Sequence, residues 1–215
     1  MPAYQVRPAS AGPTAKLPMV LVVHENRGLN PHIEDVARRL ALAGFHTLAP
    51  DALGPLGGYP GDEDSAREFF AQLDPAKVRQ DFAAAAAHLQ ASAQGNGRVG
   101  VVGFCFGGGM ANFLATRLPT LAAAVPFYGP APALAEVPAI RAPLLLHFAG
   151  DDERINAGWP AYEKALRAAG VTYEAHHYPG TQHGFHNDTT PRYDEAAARQ
   201  AWQRTLAFLE TRLQA

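Results

Sequence analysis

An apolar, β-branched run, Val99-Gly100-Val101-Val102-Gly103-Phe104, passes directly into Cys105-Phe106-Gly107-Gly108-Gly109 and then into residues of helical character up to Arg117. A strand that turns so sharply into a helix needs small residues on both flanks of the turn, because larger side chains would collide with strand and helix. Gly103 and Gly107 stand two before and two after Cys105, and Gly108 and Gly109 extend the small face so that the helix can lie close to a sheet.

The rest of the chain alternates strands and helices in the same way. Met19-Val20-Leu21-Val22-Val23 reads as a strand buried on both faces. Asn30-Pro31 then supplies a helix cap and first turn, Ile33, Val36, Ala37 and Leu40 form the apolar stripe, and Gly44 ends the helix. Further strands are predicted at Phe45–Ala49, Arg98–Phe104, Ala122–Phe127, Pro143–Ala149 and Thr172–Tyr178. Helices are predicted at Ser65–Leu73, Pro75–Ala93, Phe106–Arg117, Trp159–Ala169 and Asp194–Leu213. In the last helix Trp202, Leu206, Leu209 and Leu213 fall at core spacing, and the alanines 83–87 read as a close-packing surface. Before the first buried strand only Tyr4–Arg7 can supply another, so a leading hairpin is short or missing. The expectation is a single α/β domain over residues 1–215, with a mostly parallel sheet of about seven strands flanked by helices on both faces.

Composition narrows what such a domain does. A formal net charge of −2 is too small for electrostatic capture of nucleic acid or an anionic membrane surface. Nothing approaches the run of about 18 apolar residues that spans a bilayer, and the first residues show no basic-then-apolar leader, so a cytoplasmic location is expected. One cysteine allows no internal disulfide and disfavours a cysteine-built zinc site.

Right-handed crossovers place the carboxyl ends of parallel strands on one rim, where ligands of open α/β sheets bind. Chemistry is therefore sought just after each strand. Cys105 sits at such a place in a nucleophile-elbow pattern, which in its fold is followed by an acid and then a histidine. Gly150-Asp151-Asp152-Glu153 follows one strand and offers Asp151 or Asp152, which the residues alone do not separate. Pro179-Gly180-Thr181-Gln182-His183-Gly184 follows the next and presents His183. Such a histidine takes the thiol proton and returns one to the leaving group, while the aspartate fixes its tautomer. After the first buried strand, His24-Glu25-Asn26-Arg27-Gly28 occupies the loop that donates one oxyanion N–H. That nominates the backbone N–H groups of Asn26 and Phe106. Glu25 beside the nucleophile opposes a thiolate, whereas the helix N-terminus and a protonated His183 favour one. His176, His177, His183 and His186 cluster in sequence, but the first two alternate faces of a strand, and no metal or cofactor is expected.

Taken together, Glu25, Gly103-Phe104-Cys105-Phe106-Gly107-Gly108, Gly150-Asp151-Asp152 and His183-Gly184-Phe185 resemble the dienelactone hydrolase (carboxymethylenebutenolidase) family, from about Pro18 to the C-terminus. The resemblance implies the α/β-hydrolase fold and cleavage of a small-molecule lactone or ester through an acyl-enzyme; the charge balance and hydropathy leave neither nucleic acid nor membrane as an expected partner, and the sequence leaves the assembly open between monomer and homodimer. The resemblance also implies Cys105 as nucleophile, Asp152 as acid, His183 as base, and Glu25 as a group that helps deprotonate the cysteine only when substrate displaces it. The family's prototype holds a substrate carboxylate with arginines, one of them four residues after the catalytic histidine. Here that position is Asn187. Arg67, beside Phe69 and Phe70, stands in the excursion that carries the other, and Arg27 and Arg192 are further candidates for substrate binding, with Phe70. Hydrolysis of an ester or lactone is thus carried over further than dienelactone itself. A carboxylesterase, a thioester or amide hydrolase on the same scaffold, and a non-catalytic binding protein are the alternatives.

Overall fold

The computed structural model describes residues 1–214. Its strands are β1 (Ala3–Val6), β2 (Leu17–Val23), β3 (His46–Pro50), β4 (Gly95–Phe104), β5 (Ala123–Phe127), β6 (Leu144–Ala149) and β7 (Tyr173–Tyr178). They form one sheet in the order β1-β3-β2-β4-β5-β6-β7. All neighbours are parallel except β1, which runs antiparallel along β3 with Ala3 opposite Pro50. The short leading strand expected near Tyr4 is therefore real, and it serves as an edge.

Both faces of the sheet are covered at its centre, which is why β2 and the buried half of β4, Val99–Phe104, are runs of apolar residues and glycine rather than alternating. Val20, Val22, Val102 and Phe104 pack with α1 (Pro31–Leu42) and α7 (Glu195–Leu213) on one face. Met19, Leu21, Val23 and Val101 pack on the other face with α3 (Pro75–Gln90), α4 (Phe106–Arg117) and α6 (Trp159–Ala168). Between β3 and α3 lies α2 (Glu63–Ala71), and α5 (Glu153–Asn156) is a single turn after β6. Asn30 caps α1 by accepting from the Ile33 N–H at 3.1 Å, as expected of Asn30-Pro31. α2 begins two residues before the expected Ser65 because Asp62 caps it, accepting from the Ser65 N–H at 2.8 Å.

Two packing expectations are adjusted. In α7 Leu209 and Leu213 are fully buried but Trp202 and Leu206 only partly, and the buried stripe runs through Ala198, Ala201, Thr205 and Phe208 instead. In the alanine run Ala86 is buried while Ala84 and Ala87 are exposed, so close packing is confined to one stripe of α3. Among the described residues no helix is long and apolar enough to cross a membrane.

Candidate active site

Strand β4 ends where the chain must reverse into α4, and Cys105 occupies that turn with φ 55° and ψ −111°. The left-handed φ is costly for a residue with a Cβ and persists only because its surroundings hold it. The Cys105 N–H donates to the Phe127 carbonyl at 3.0 Å, and the Cys105 carbonyl accepts from the Gly109 N–H at 3.1 Å. A Cβ on Gly103 would stand 1.9 Å from the Gly107 carbonyl oxygen, and one on Gly107 would stand 2.2 Å from that of Val23. These approaches are backbone against backbone, so only glycine serves at either position.

The thiol is partly buried. Burial, and then the negative charge of Glu25, push it up to about 11; the Phe106 N–H, Arg154 and Arg27 pull the other way without overcoming them. At neutral pH the cysteine is therefore a thiol, not a thiolate.

Asp152 is buried, with Oδ2 accepting from His183 Nδ1 at 2.5 Å and Oδ1 accepting from the Ile155 N–H at 3.3 Å, which caps α5. Asp151 is exposed, and its N–H donates to the Thr181 carbonyl at 2.9 Å. Of the two aspartates left open by the residues, the fold brings Asp152 to the histidine. A carboxylate only accepts, so Nδ1 carries the ring proton and Nε2 is left as the basic nitrogen. Among the described residues no hydrogen bond joins the thiol to that ring.

Glu25 Oε2 accepts from Asn187 Nδ2 at 2.9 Å. The Asn187 amide is oriented by its other end, where Oδ1 accepts from the Thr189 N–H at 3.0 Å and from its hydroxyl at 2.6 Å. The position expected to hold an arginine for substrate thus holds Glu25 instead. In the same loop the Asn26 N–H donates to no acceptor among the described residues. The Phe106 N–H heads α4, where helical N–H groups have no internal partner.

Sequence reasoning missed Tyr128. It lies immediately after β5 with φ 36°, is fully buried, and its hydroxyl has no hydrogen-bond partner among the described residues. Burial first, then the charge of Glu25, holds its phenol well above the usual range. Its ring lies 5.1 Å from that of His183. The signal that could have found it is positional: Tyr128-Gly129 stands at the carboxyl end of a parallel strand, on the rim where Cys105, Asp152 and His183 also stand.

The remaining candidates are dispersed. Arg27 Nε lies 3.1 Å from Glu63 Oε2, and its Nη1 donates to Asn26 Oδ1. Arg67 is exposed on α2 and pairs with Asp64 at 2.9 Å. Phe70 stands edge-on to Phe106, ring centroids 4.8 Å apart. The Arg192 guanidinium lies over Gly184, next to His183. Arg154, which sequence reasoning passed over, reaches the thiol with its charge. A cavity of about 340 Å³ opens beside Phe106, with Arg79, Phe113, Arg117 and Glu136 among its walls. His176 and His177 do point to opposite faces, one beside His147 and the other stacked on Phe148.

Comparison with known proteins gives this arrangement its relatives. Residues 1–213 match the dienelactone hydrolase family. A Methylorubrum extorquens protein provisionally named a carboxymethylenebutenolidase is 32% identical over 219 residues, which take in 95% of this chain and 74% of that one. An Escherichia coli protein of the same provisional name is 34% identical over 226 residues, 98% of this chain and 82% of the other. The crystal structure of a protein from Klebsiella pneumoniae, provisionally named a dienelactone hydrolase, superposes with a TM-score of 0.84 at 31% identity, covering 97% of this chain and 92% of that one. A dienelactone hydrolase-like promiscuous phosphotriesterase from metagenomic libraries superposes with a TM-score of 0.81 at 25% identity, covering 98% and 92%.

Proposed function

The chain belongs to the dienelactone hydrolase family, ester and lactone hydrolases on an α/β-hydrolase scaffold, and we propose that it cleaves a lactone or small ester through an acyl-enzyme on Cys105. The observation that carries this reading is the strained turn at Cys105, with the Asp152–His183 hydrogen bond on the same rim of the sheet. The strain keeps Sγ at the head of α4, and the rim brings an acid–base pair to it.

At rest the thiol is neutral, held so by burial and by Glu25. Substrate seats its carbonyl oxygen against the Phe106 and Asn26 N–H groups and disturbs the Glu25–Asn187 contact. Glu25 takes the thiol proton, and the thiolate attacks the carbonyl carbon as the oxygen becomes an anion in the oxyanion hole. Collapse breaks the C–O bond and leaves a thioester on Cys105. The departing oxygen takes the proton that Glu25 received, and His183 Nε2 then draws one from water, whose oxygen attacks the thioester. Asp152 stabilises the imidazolium formed in that step. The C–S bond breaks, the acid is released, and the thiolate recovers its proton from the His183 imidazolium.

Incubation with a chromogenic ester, followed by intact-mass analysis, tests the reading. An adduct of acyl mass on Cys105 is expected, with turnover lost in Cys105→Ala. If no adduct forms and Cys105→Ala turns over like the wild type, the mechanism is wrong. A panel of esters and lactones, some bearing a carboxylate, identifies the acyl group.

A further inference from the structure

His24 ends β2's run into the Glu25 loop, and its ring is fully buried. Its Nε2 lies 3.1 Å from the backbone nitrogen of Ala52. A backbone N–H only donates, so Nε2 carries no proton there. Its Nδ1 lies 2.5 Å from the Glu25 carbonyl oxygen, which only accepts, so Nδ1 carries the proton. The two contacts together fix one tautomer of a neutral ring, and burial lowers the ring's affinity for a second proton.

The carbonyl so held belongs to the Glu25–Asn26 peptide, whose N–H is the free donor of Asn26. The peptide is trans, so its N–H points opposite to its C=O. A ring that anchors the carbonyl on one side therefore sets the direction of the N–H on the other. The same ring stacks on Phe106, centroids 6.1 Å apart at 26°, and meets Phe82 edge-on at 5.7 Å. One side chain thus holds the carbonyl of one oxyanion-hole peptide and packs on the residue that supplies the other N–H.

We propose that His24, as the Nδ1-protonated neutral ring, is the positioning residue of the oxyanion hole, locking the Glu25–Asn26 peptide so that the Asn26 N–H faces the substrate carbonyl. This rests on the assignment of Asn26 and Phe106 as the oxyanion donors and of Cys105 as nucleophile. His24 touches no reacting atom.

Two variants separate the nitrogens. In His24→Asn the amide nitrogen can occupy the Nδ1 position and keep the donor to Glu25, whereas His24→Gln places its amide out at the Nε2 position and loses that donor. Loss of a working oxyanion donor lowers kcat by about 100-fold or more. Two rates are measured on each variant: turnover of a chromogenic ester, which passes through an oxyanion, and alkylation of Cys105 by iodoacetamide. In the latter an S–C bond forms and iodide leaves, with no oxyanion. The expected result is ester turnover down about 100-fold in His24→Gln, down less than about 10-fold in His24→Asn, and alkylation within about twofold of wild type in both. Equal turnover losses in the two variants, or turnover and alkylation falling together, would overturn the proposal. Nitrogen NMR of the wild-type imidazoles needs no variant: a protonated Nδ1 and bare Nε2 at His24 are expected, and the opposite tautomer also overturns it. Failure of the nucleophile assignment looks different, since the wild type itself would then give no acyl adduct on Cys105.

Discussion

Glu25 and Cys105 stand where their ionised forms repel, and that repulsion is second only to burial in keeping the thiol protonated. Glu25→Gln removes the charge while leaving an oxygen for Asn187 Nδ2 to donate to. The thiol's affinity for its proton then falls from its value of about 11, though not to that of a free cysteine, because burial remains. For each unit of fall the thiolate fraction rises about tenfold, while its nucleophilicity drops by about threefold. Alkylation by iodoacetamide at mildly alkaline pH is thus expected to speed up by about threefold per unit, and an unchanged rate would show that Glu25 does not restrain the thiol. Cys105 and His183 stood out in the sequence because each follows a recognisable strand with glycines close by, whereas Glu25 follows its strand with no adjacent glycine and was singled out through the family resemblance. Tyr128 and the new partner of Asn187 were not, since both depend on side chains that meet across loops distant in sequence. The choice of Asp152 over Asp151 followed from the family resemblance, and the fold gives its physical reason: only Asp152 turns back over α5 to reach His183.

The elbow is held as an element, by three layers of backbone in near contact. Gly107→Ala forces a Cβ to within 2.2 Å of the Val23 carbonyl, and no flexible side chain is there to yield. A loss of more than about 3 kcal/mol in unfolding free energy, or failure to accumulate folded protein, is expected. Gly12→Ala, where a Cβ meets nothing within 4 Å, is the control and should change stability by less than about 0.5 kcal/mol. Urea unfolding of the two proteins reads the difference, and similar midpoints would mean that α4 can move away from β2. At this scale the strands were read well, because a sheet covered on both faces writes itself as apolar runs. Helix ends were read less well. α3 stops at Gln90 rather than Ala93, since Ser92 turns the chain by accepting from the Gly95 N–H at 3.0 Å, and Gln90 is tied to the Thr120 carbonyl at 3.1 Å. Neither constraint shows in an alanine- and serine-rich stretch that suits a helix equally well.

Across the whole molecule the buried histidines couple folding to pH. His186 lies beneath the site against Phe104, Phe127 and Trp202, with ring centroids 5.2, 5.0 and 5.6 Å away, and burial first, then the charges of His32 and Arg39, push its pKa down to about 3. His147, fully buried between β5, β7 and α7, is shifted in the same direction by burial. In the unfolded chain both titrate near about 6.5. A depressed folded value means that stability is complete above about 6.5 and is lost as pH falls, because the unfolded state takes up a proton that the native state refuses. Well inside that window each such histidine costs about 1.4 kcal/mol per pH unit, and for His186 the loss grows to about 5 kcal/mol by the time the native ring also titrates. His186→Phe keeps an aromatic ring among the same neighbours and removes the proton. Unfolding free energies measured in urea between about pH 5.5 and 4.5 should then fall less steeply in the variant, by about 1.4 kcal/mol per pH unit. Parallel slopes would show that His186 is protonated in the native protein in that range, and that the core beneath the rim of Cys105 and His183 admits a charge.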